Sequence, residues 1–262
     1  HNEQAAQLEF QDMEIGSLIS FNMATAMQSQ GCAYPNVAPP NASVFLEKLS
    51  SEQLDTDSWC EAIESFGGKY ATLVAKHLCG FTLWPSSVTS GNFTYDYGVR
   101  DYDVVQRVAE SCSARGIKLG LYYSVNVNAY LNVNQGKPVP LDTTNKTIVT
   151  QEQYIDIALQ HLTELWSNYG DLAEIWFDGG YNVPGLSDKL LNLLEEKQGN
   201  AAVFNGCGLS KNAVLWIGSE TGHAPHYIWN AQNGCPPNGT FLFFVVFIGH
   251  TQTRTNQAVL VI

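Results

Sequence analysis

Along the chain, short and nearly continuous apolar runs alternate with longer stretches whose apolar residues recur every three or four positions. The runs Leu18–Met23, Tyr70–His77, Ile117–Ser124, Glu174–Phe177, Ala201–Asn205 and Ala213–Gly218 read as strands. Between them the period lengthens. Val104, Val105, Val108 and Ala109 mark one side of a helix over residues 101–115, stopped by Gly116. Ile155, Leu159, Leu162 and Leu165 form the stripe of a helix that Thr150 and Gln153 cap and that runs to about Tyr169. Ser58 with Glu61 predicts the cap of a helix ending at Gly67-Gly68, and another helix is predicted from about Gly185 to Lys197. Residues 1–16 are largely polar, and residues 28–55, rich in Pro, Asn and Ser, read as loop.

Apolar strands alternating with amphipathic helices imply a parallel sheet covered on both faces, which right-handed crossovers can wind into a barrel. The loops after the strands are long and aromatic, whereas those before them are short. That asymmetry puts the functional face at the C-terminal ends of the strands. The expected fold class is α/β, a (β/α)8-type (TIM-like) barrel, incomplete, with about six β/α units recognisable. The 262 residues suit one barrel domain, typically roughly 250 residues. Phe241–Ile262 reads as an atypical tail that supplies a seventh strand at most. Open strand edges need cover, and a protein partner over the open side is one expectation.

Composition narrows the partners. Thirteen basic against 25 acidic residues give a net charge of −12, which argues against nucleic acid or an anionic membrane surface. The longest apolar run, Phe241–Ile248, falls well short of the ~18 residues of a membrane span, so none is expected. Asn41, Asn92, Asn145 and Asn238 each begin an Asn-x-Ser/Thr glycosylation sequon in a predicted loop, and the chain begins at His1 rather than Met. Together these predict a mature chain of a secreted or lysosomal-type compartment. The six cysteines form no CxxC pair, so one to three disulfides are expected rather than zinc, with Cys207–Cys235 the preferred pair.

Candidate chemistry collects at the predicted strand ends: His77, Tyr122, Trp176, Asp178 and Glu220. Two residues apart on one strand, Trp176 and Asp178 face the same way, an indole floor beside a carboxylate. Two carboxylates at neighbouring strand ends are what glycoside hydrolysis needs, one to attack the anomeric carbon and one to protonate the leaving oxygen. The plain readings are a strand ending in an Asp-Gly turn, a solvated Glu220 and a hydrogen-bonded barrel histidine. Trp59, Trp84, Trp216 and Trp229 read individually as packing residues. No metal-ligand spacing, phosphate loop or nucleophile elbow occurs, so no metal or cofactor is expected.

Five blocks, in order, carry a family resemblance: Gly68-Lys69-Tyr70-Ala71-Thr72-Leu73-Val74-Ala75-Lys76-His77, Gly80-Phe81-Thr82-Leu83-Trp84-Pro85-Ser86, Gly120-Leu121-Tyr122-Tyr123-Ser124, Trp176-Phe177-Asp178-Gly179-Gly180 and Trp216-Ile217-Gly218-Ser219-Glu220. Over roughly residues 10–235 the chain resembles the α-L-fucosidases of glycoside hydrolase family 29, especially the plant-like α-1,3/4 branch. The resemblance implies a retaining, metal-independent hydrolase of terminal fucose on glycoconjugates. Asp178 would be the nucleophile, Glu220 the acid/base, and His77, Tyr122, Trp176 and Trp84 substrate-binding residues. Ser20 stands where the family usually has a first-strand histidine, and Leu78 where it often has a second histidine after His77. The likeness ends near Cys235, without the C-terminal β-sandwich usual in the family. These departures motivate the alternative expectation of a catalytically weak or silent fucosidase-like glycan-binding or extracellular structural protein.

Overall fold

The computed structural model describes residues 5–23, 25, 32, 38–51, 54–141, 146–214, 250–252 and 258–261. Helix α1 (Ala5–Met13) precedes β1 (Gly16–Ile19); α2 (Ala42–Ser51) and α3 (Thr56–Ser65) lead into β2 (Tyr70–Lys76). A hairpin of β3 (Thr89–Ser90) and β4 (Phe93–Thr94) is followed by α4 (Val104–Ser113) and β5 (Lys118–Tyr123). A second hairpin, β6 (Val133–Asn134) with β7 (Lys137–Pro138), precedes α5 (Gln151–Asn168) and β8 (Glu174–Trp176). Then come α6 (Ser187–Gln198), β9 (Ala202–Phe204), β10 (Ala213–Val214), β11 (His250–Gln252) and β12 (Ala258–Val261).

One sheet has the order β10-β9-β8-β5-β2-β1-β12-β11. Its first six strands pair in parallel, as the strand–helix alternation predicts. The chain end differs from expectation. Instead of at most one further strand it makes two, with β12 antiparallel to β1 and β11 antiparallel to β12. A strand returning antiparallel needs no crossover helix, so these two add no β/α unit, and the fold is an incomplete TIM-like barrel. Residues 215–218 of the predicted sixth strand and 241–249 of the tail lie outside the described residues.

The period of two separates two apolar cores. Leu18, Tyr70, Val74, Tyr122, Trp176, Ala202, Phe204 and Val214 gather on the inner face, where Phe10 of α1 closes against Tyr70 with ring centroids 4.9 Å apart. The alternate residues, including Leu73, Leu121, Tyr123, Ile175 and Phe177, pack outward with Trp59, Val105, Leu162 and Leu190 of the helices. Both faces are therefore buried, which is why the strands read as continuous apolar runs.

Helix starts follow their caps. The Thr150–Gln153 capping box forms as predicted. The helix assigned to a Ser58 cap instead begins at Thr56, because the Asp55 carboxylate accepts from the Ser58 amide at 3.0 Å and makes Asp55 the N-cap. Within the stretch predicted as loop, α2 forms. Asn41 Oδ1 accepts from the Ser43 amide at 3.0 Å, and Phe45 and Leu49, one turn apart, are buried.

At the centre of the sheet, Gly120 lies between Thr72 and Glu174 in register. Thr72 Oγ1 donates to Glu174 Oε2 at 2.5 Å across it. A Cβ on Gly120 would come within 2.3 Å of Thr72 Oγ1. Gly120→Ala should therefore destabilise the fold by about 1–3 kcal/mol, read as a lower urea midpoint with unchanged slope. An unshifted midpoint would show that the interior has slack.

Candidate active site

The inner face ends at its C-terminal rim in a row set by register: Val74, Tyr122, Trp176 and Phe204 lie side by side on β2, β5, β8 and β9. Tyr122 and Trp176 are tilted with centroids 6.3 Å apart, and Trp176 stacks on Phe204 at 3.8 Å. This is an aromatic floor.

Asp178 stands above it in the turn after β8, half-buried. Tyr122 Oη donates to Asp178 Oδ2 at 2.6 Å, a bond between residues 56 apart in sequence. Burial, then the neighbouring Asp178, push the Tyr122 phenol well above its ordinary value, so it stays a donor. The turn uses two glycines in the left-handed region, Gly179 at φ +68° and Gly180 at +85°. Asn126 Nδ2, from the loop after β5, donates to the Gly179 carbonyl at 2.5 Å.

His77 reaches the rim through an irregularity. Strict alternation from Val74 would send Lys76 inward and His77 outward. A register shift between Val74 and Lys76 pairs Lys76 with Tyr123 instead. His77 then lies 5.8 Å from Tyr122, nearly parallel to it at 24°. Its pKa is pushed down to about 4, mainly by burial and also by Lys76, against the opposing pull of Asp178. The ring is therefore neutral near pH 7, and its buried Nδ1 has no hydrogen-bond partner among the described residues.

The structure thus brings together His77, Tyr122, Trp176 and Asp178. It does not bring Trp84 to them. That residue, a predicted substrate contact, is 1% exposed in the outer core, donates Nε1–H to Glu164 of α5 at 2.7 Å, and meets His161 edge-on at 5.2 Å. Its indole N–H is already satisfied between loop and helix, as for a packing residue. Glu220, Asn145 and Asn238 lie outside the described residues; Asn41 and Asn92 are exposed.

Ser20 sits just beyond β1, its Oγ accepting from Asn22 Nδ2 at 3.1 Å and its carbonyl from Thr25 Oγ1 at 3.1 Å. Leu78 is half-buried, and Cys79 beside it is joined to Cys32. A second disulfide, Cys60–Cys112, staples α3 to α4. Cys207 is also disulfide-bonded; Cys235, its preferred partner from the sequence, is outside the described residues. Among the described residues no group of three or more His, Cys, Asp or Glu is placed to hold a metal ion. None of the described helices is long and apolar enough to cross a membrane.

Sequence reasoning passed over two residues here. Glu174, fully buried in the barrel interior, was legible as the residue two before Trp176 and hence on its face. Asn126 carried no sequence signal, since its contact with Gly179 spans 53 positions.

Without its hydroxyl, residue 122 makes no bond to Asp178. Tyr122→Phe should lower stability by about 1–3 kcal/mol, read as a lower urea midpoint with unchanged slope. An unshifted midpoint would make the bond incidental.

Fold and site define an α/β-barrel protein with an acidic, aromatic-floored rim at the C-terminal ends of its parallel strands. The α-L-fucosidase family model matches residues 12–220, and the chain belongs to that family. Alpha-L-fucosidase 1 of Arabidopsis thaliana is 27% identical over 239 residues, 87% of this chain and 41% of that protein. Tissue alpha-L-fucosidase of Mus musculus is 30% identical over 149 residues, 56% of this chain and 31% of the relative. The chain thus spans less than half the length of these curated relatives. The fold is similar to alpha-L-fucosidase isoenzyme 1 from Paenibacillus thiaminolyticus, with a TM-score of 0.68 at 19% identity over 92% of this chain and 60% of that one. A glycoside hydrolase 29 family member from an unknown rumen bacterium gives a TM-score of 0.62 at 22% identity, covering 87% of this chain and 40% of its own.

Proposed function

We propose that the protein is a retaining α-L-fucosidase that removes terminal α-linked fucose from glycoconjugates. The observation that carries this reading is Asp178, held at the strand rim by Tyr122 over the Trp176–Phe204 floor. Tyr122 occupies Oδ2, which leaves Oδ1 to attack the anomeric carbon and form a covalent fucosyl-enzyme. Glu220, assigned by family resemblance, donates a proton to the leaving oxygen and then takes one from the attacking water. His77, neutral, offers a ring nitrogen to a sugar hydroxyl.

The longer alignment to the Arabidopsis relative than to the mouse one supports the plant-like branch. Exposed Asn41 and Asn92 and the disulfides support a glycosylated chain of the secretory route. The test is incubation of the purified chain with an aryl α-L-fucoside, following the released sugar by proton NMR. The α-anomer of fucose appearing first supports a retaining enzyme; the β-anomer, or no release by folded protein, sinks it.

A second reading has its own observation. Ser20, in the place of the usual histidine, has its hydroxyl engaged with Asn22. A silent, fucose-binding relative of the family would bind fucose by calorimetry without turnover, and Asp178→Asn would leave that binding intact.

A further inference from the structure

The irregularity in β2 that brings His77 to the rim also turns Lys76 into the layer between sheet and helices. There Lys76 is 0% exposed. Its Nζ donates to the Val127 carbonyl at 3.2 Å and lies 4.7 Å from the centroid of the Tyr123 ring. Burying an amino group is costly unless it is held, and this one is held against a single short turn.

Residues 124–127 form that turn. Ser124 Oγ donates to the same Val127 carbonyl at 3.2 Å, and the Ser124 amide donates to the Lys76 carbonyl at 3.1 Å. Asn126 projects from it toward the neighbouring strand end, where its Nδ2 grips the Gly179 carbonyl. Its own carbonyl accepts from the Gly136 amide at 2.8 Å, which fixes the base of the side chain. On the other side, the Asp178-Gly179-Gly180 segment is conformationally permissive. It has two left-handed glycines, and among the described residues its backbone makes one local hydrogen bond, Gly180 N to the Phe177 carbonyl at 3.0 Å, while Tyr122 holds the Asp178 side chain. The peptide after Asp178 thus owes its position to a contact from another strand's loop.

We propose that Lys76 and Asn126 are positioning residues for Asp178: the lysine braces the 124–127 turn, and the asparagine carried on that turn clamps the peptide following the carboxylate. The inference rests on the reading of Asp178 as nucleophile. Neither residue is catalytic; each acts through the placement of another. A carboxylate displaced by about 1 Å from its line of attack loses on the order of 100-fold in rate, so a clamp on a glycine turn has kinetic weight.

The test uses the full chain, Asn126→Ala and Lys76→Met. Three quantities are read: kcat and KM on an aryl α-L-fucoside, amide hydrogen exchange of the peptide spanning residues 178–181, and the thermal midpoint. Asn126→Ala should exchange the Gly180 amide, bonded to the Phe177 carbonyl, about tenfold faster, with α5 unchanged. Its kcat should fall about 100-fold while KM moves less than about threefold. Lys76→Met should reproduce both changes in the same direction, and the double variant should resemble Asn126→Ala, as expected for residues acting in series. Unchanged exchange at Gly180 overturns the proposal, as does a raised KM with intact kcat, which would make Asn126 a sugar-binding residue. If the wild-type chain releases no fucose, the nucleophile reading fails by itself, and the exchange measurement still decides the clamp.

Discussion

Replacing Asp178 with asparagine is expected to lower kcat on an aryl α-L-fucoside by at least about 10⁴-fold, with KM and the unfolding midpoint close to those of the wild type. The amide is nearly isosteric and can still accept from Tyr122 Oη, so floor and turn stay in place. On the proposed function what is lost is the nucleophile, and removing a covalent-catalysis nucleophile typically costs several powers of ten. Asp178→Gly sharpens the test. The space vacated admits azide, which should restore turnover and deliver the β-fucosyl azide by single displacement. A residual rate within tenfold of wild type, or no azide product, would remove Asp178 from the role.

The next largest effect concerns stability. Glu174 is fully buried among the inner-face residues, and burial pushes its pKa up from 4.5 to about 7, partly offset by the Thr72 hydrogen bond. A carboxyl whose folded pKa is raised contributes stability that is full below pH 4.5 and is lost as pH rises to 7. The folded state alone holds the proton in that window. The shift corresponds to about 3 kcal/mol.

The wild-type curve will hide this slope. His77, pushed down to about 4, and His161, pushed well below its ordinary value by burial and then by Lys76, lose stability as pH falls across much of the same window. Lys76, pushed down to about 7 by burial, acts above it, losing stability as pH falls from 10.5 to 7. The difference between wild type and Glu174→Gln isolates the carboxyl. The glutamine variant should gain about 3 kcal/mol relative to wild type between pH 4.5 and 7.5, measured by urea unfolding at both values. A pH-independent difference would mean that water or a cation reaches Glu174.

Much of the site was legible before any coordinates because the residues concerned follow a period. Trp176 and Asp178 share a face, and Tyr122 belongs to the same row. A buried parallel strand that ends in an acid advertises itself as an apolar run followed by polar, flexible residues. His77 was found for an incomplete reason. Its place at the end of β2 was readable, but alternation alone would have turned it outward, and a one-residue register shift brought it in. Trp84 shows the converse. Its block carries the family resemblance, yet its side chain faces α5, because whether an aromatic after a strand lines a pocket or seals a helix depends on what packs over it. Helix α2 was hidden by the Pro, Asn and Ser around it, although Ala42, Phe45, Leu46 and Leu49 keep helical spacing.

By itself the sequence determined the alternation of strands and helices, the acidic strand end at Asp178 and the family. These are encoded in local periodicity and short motifs. Only the tertiary structure decided the rest. It set the inward turn of His77, the hydrogen bond from Tyr122 to Asp178, the Cys32–Cys79 link beside the site and the reach of Asn126 to Gly179. Each joins residues far apart in the chain or depends on strand register, and neither distance nor register leaves a mark within a window of neighbouring residues.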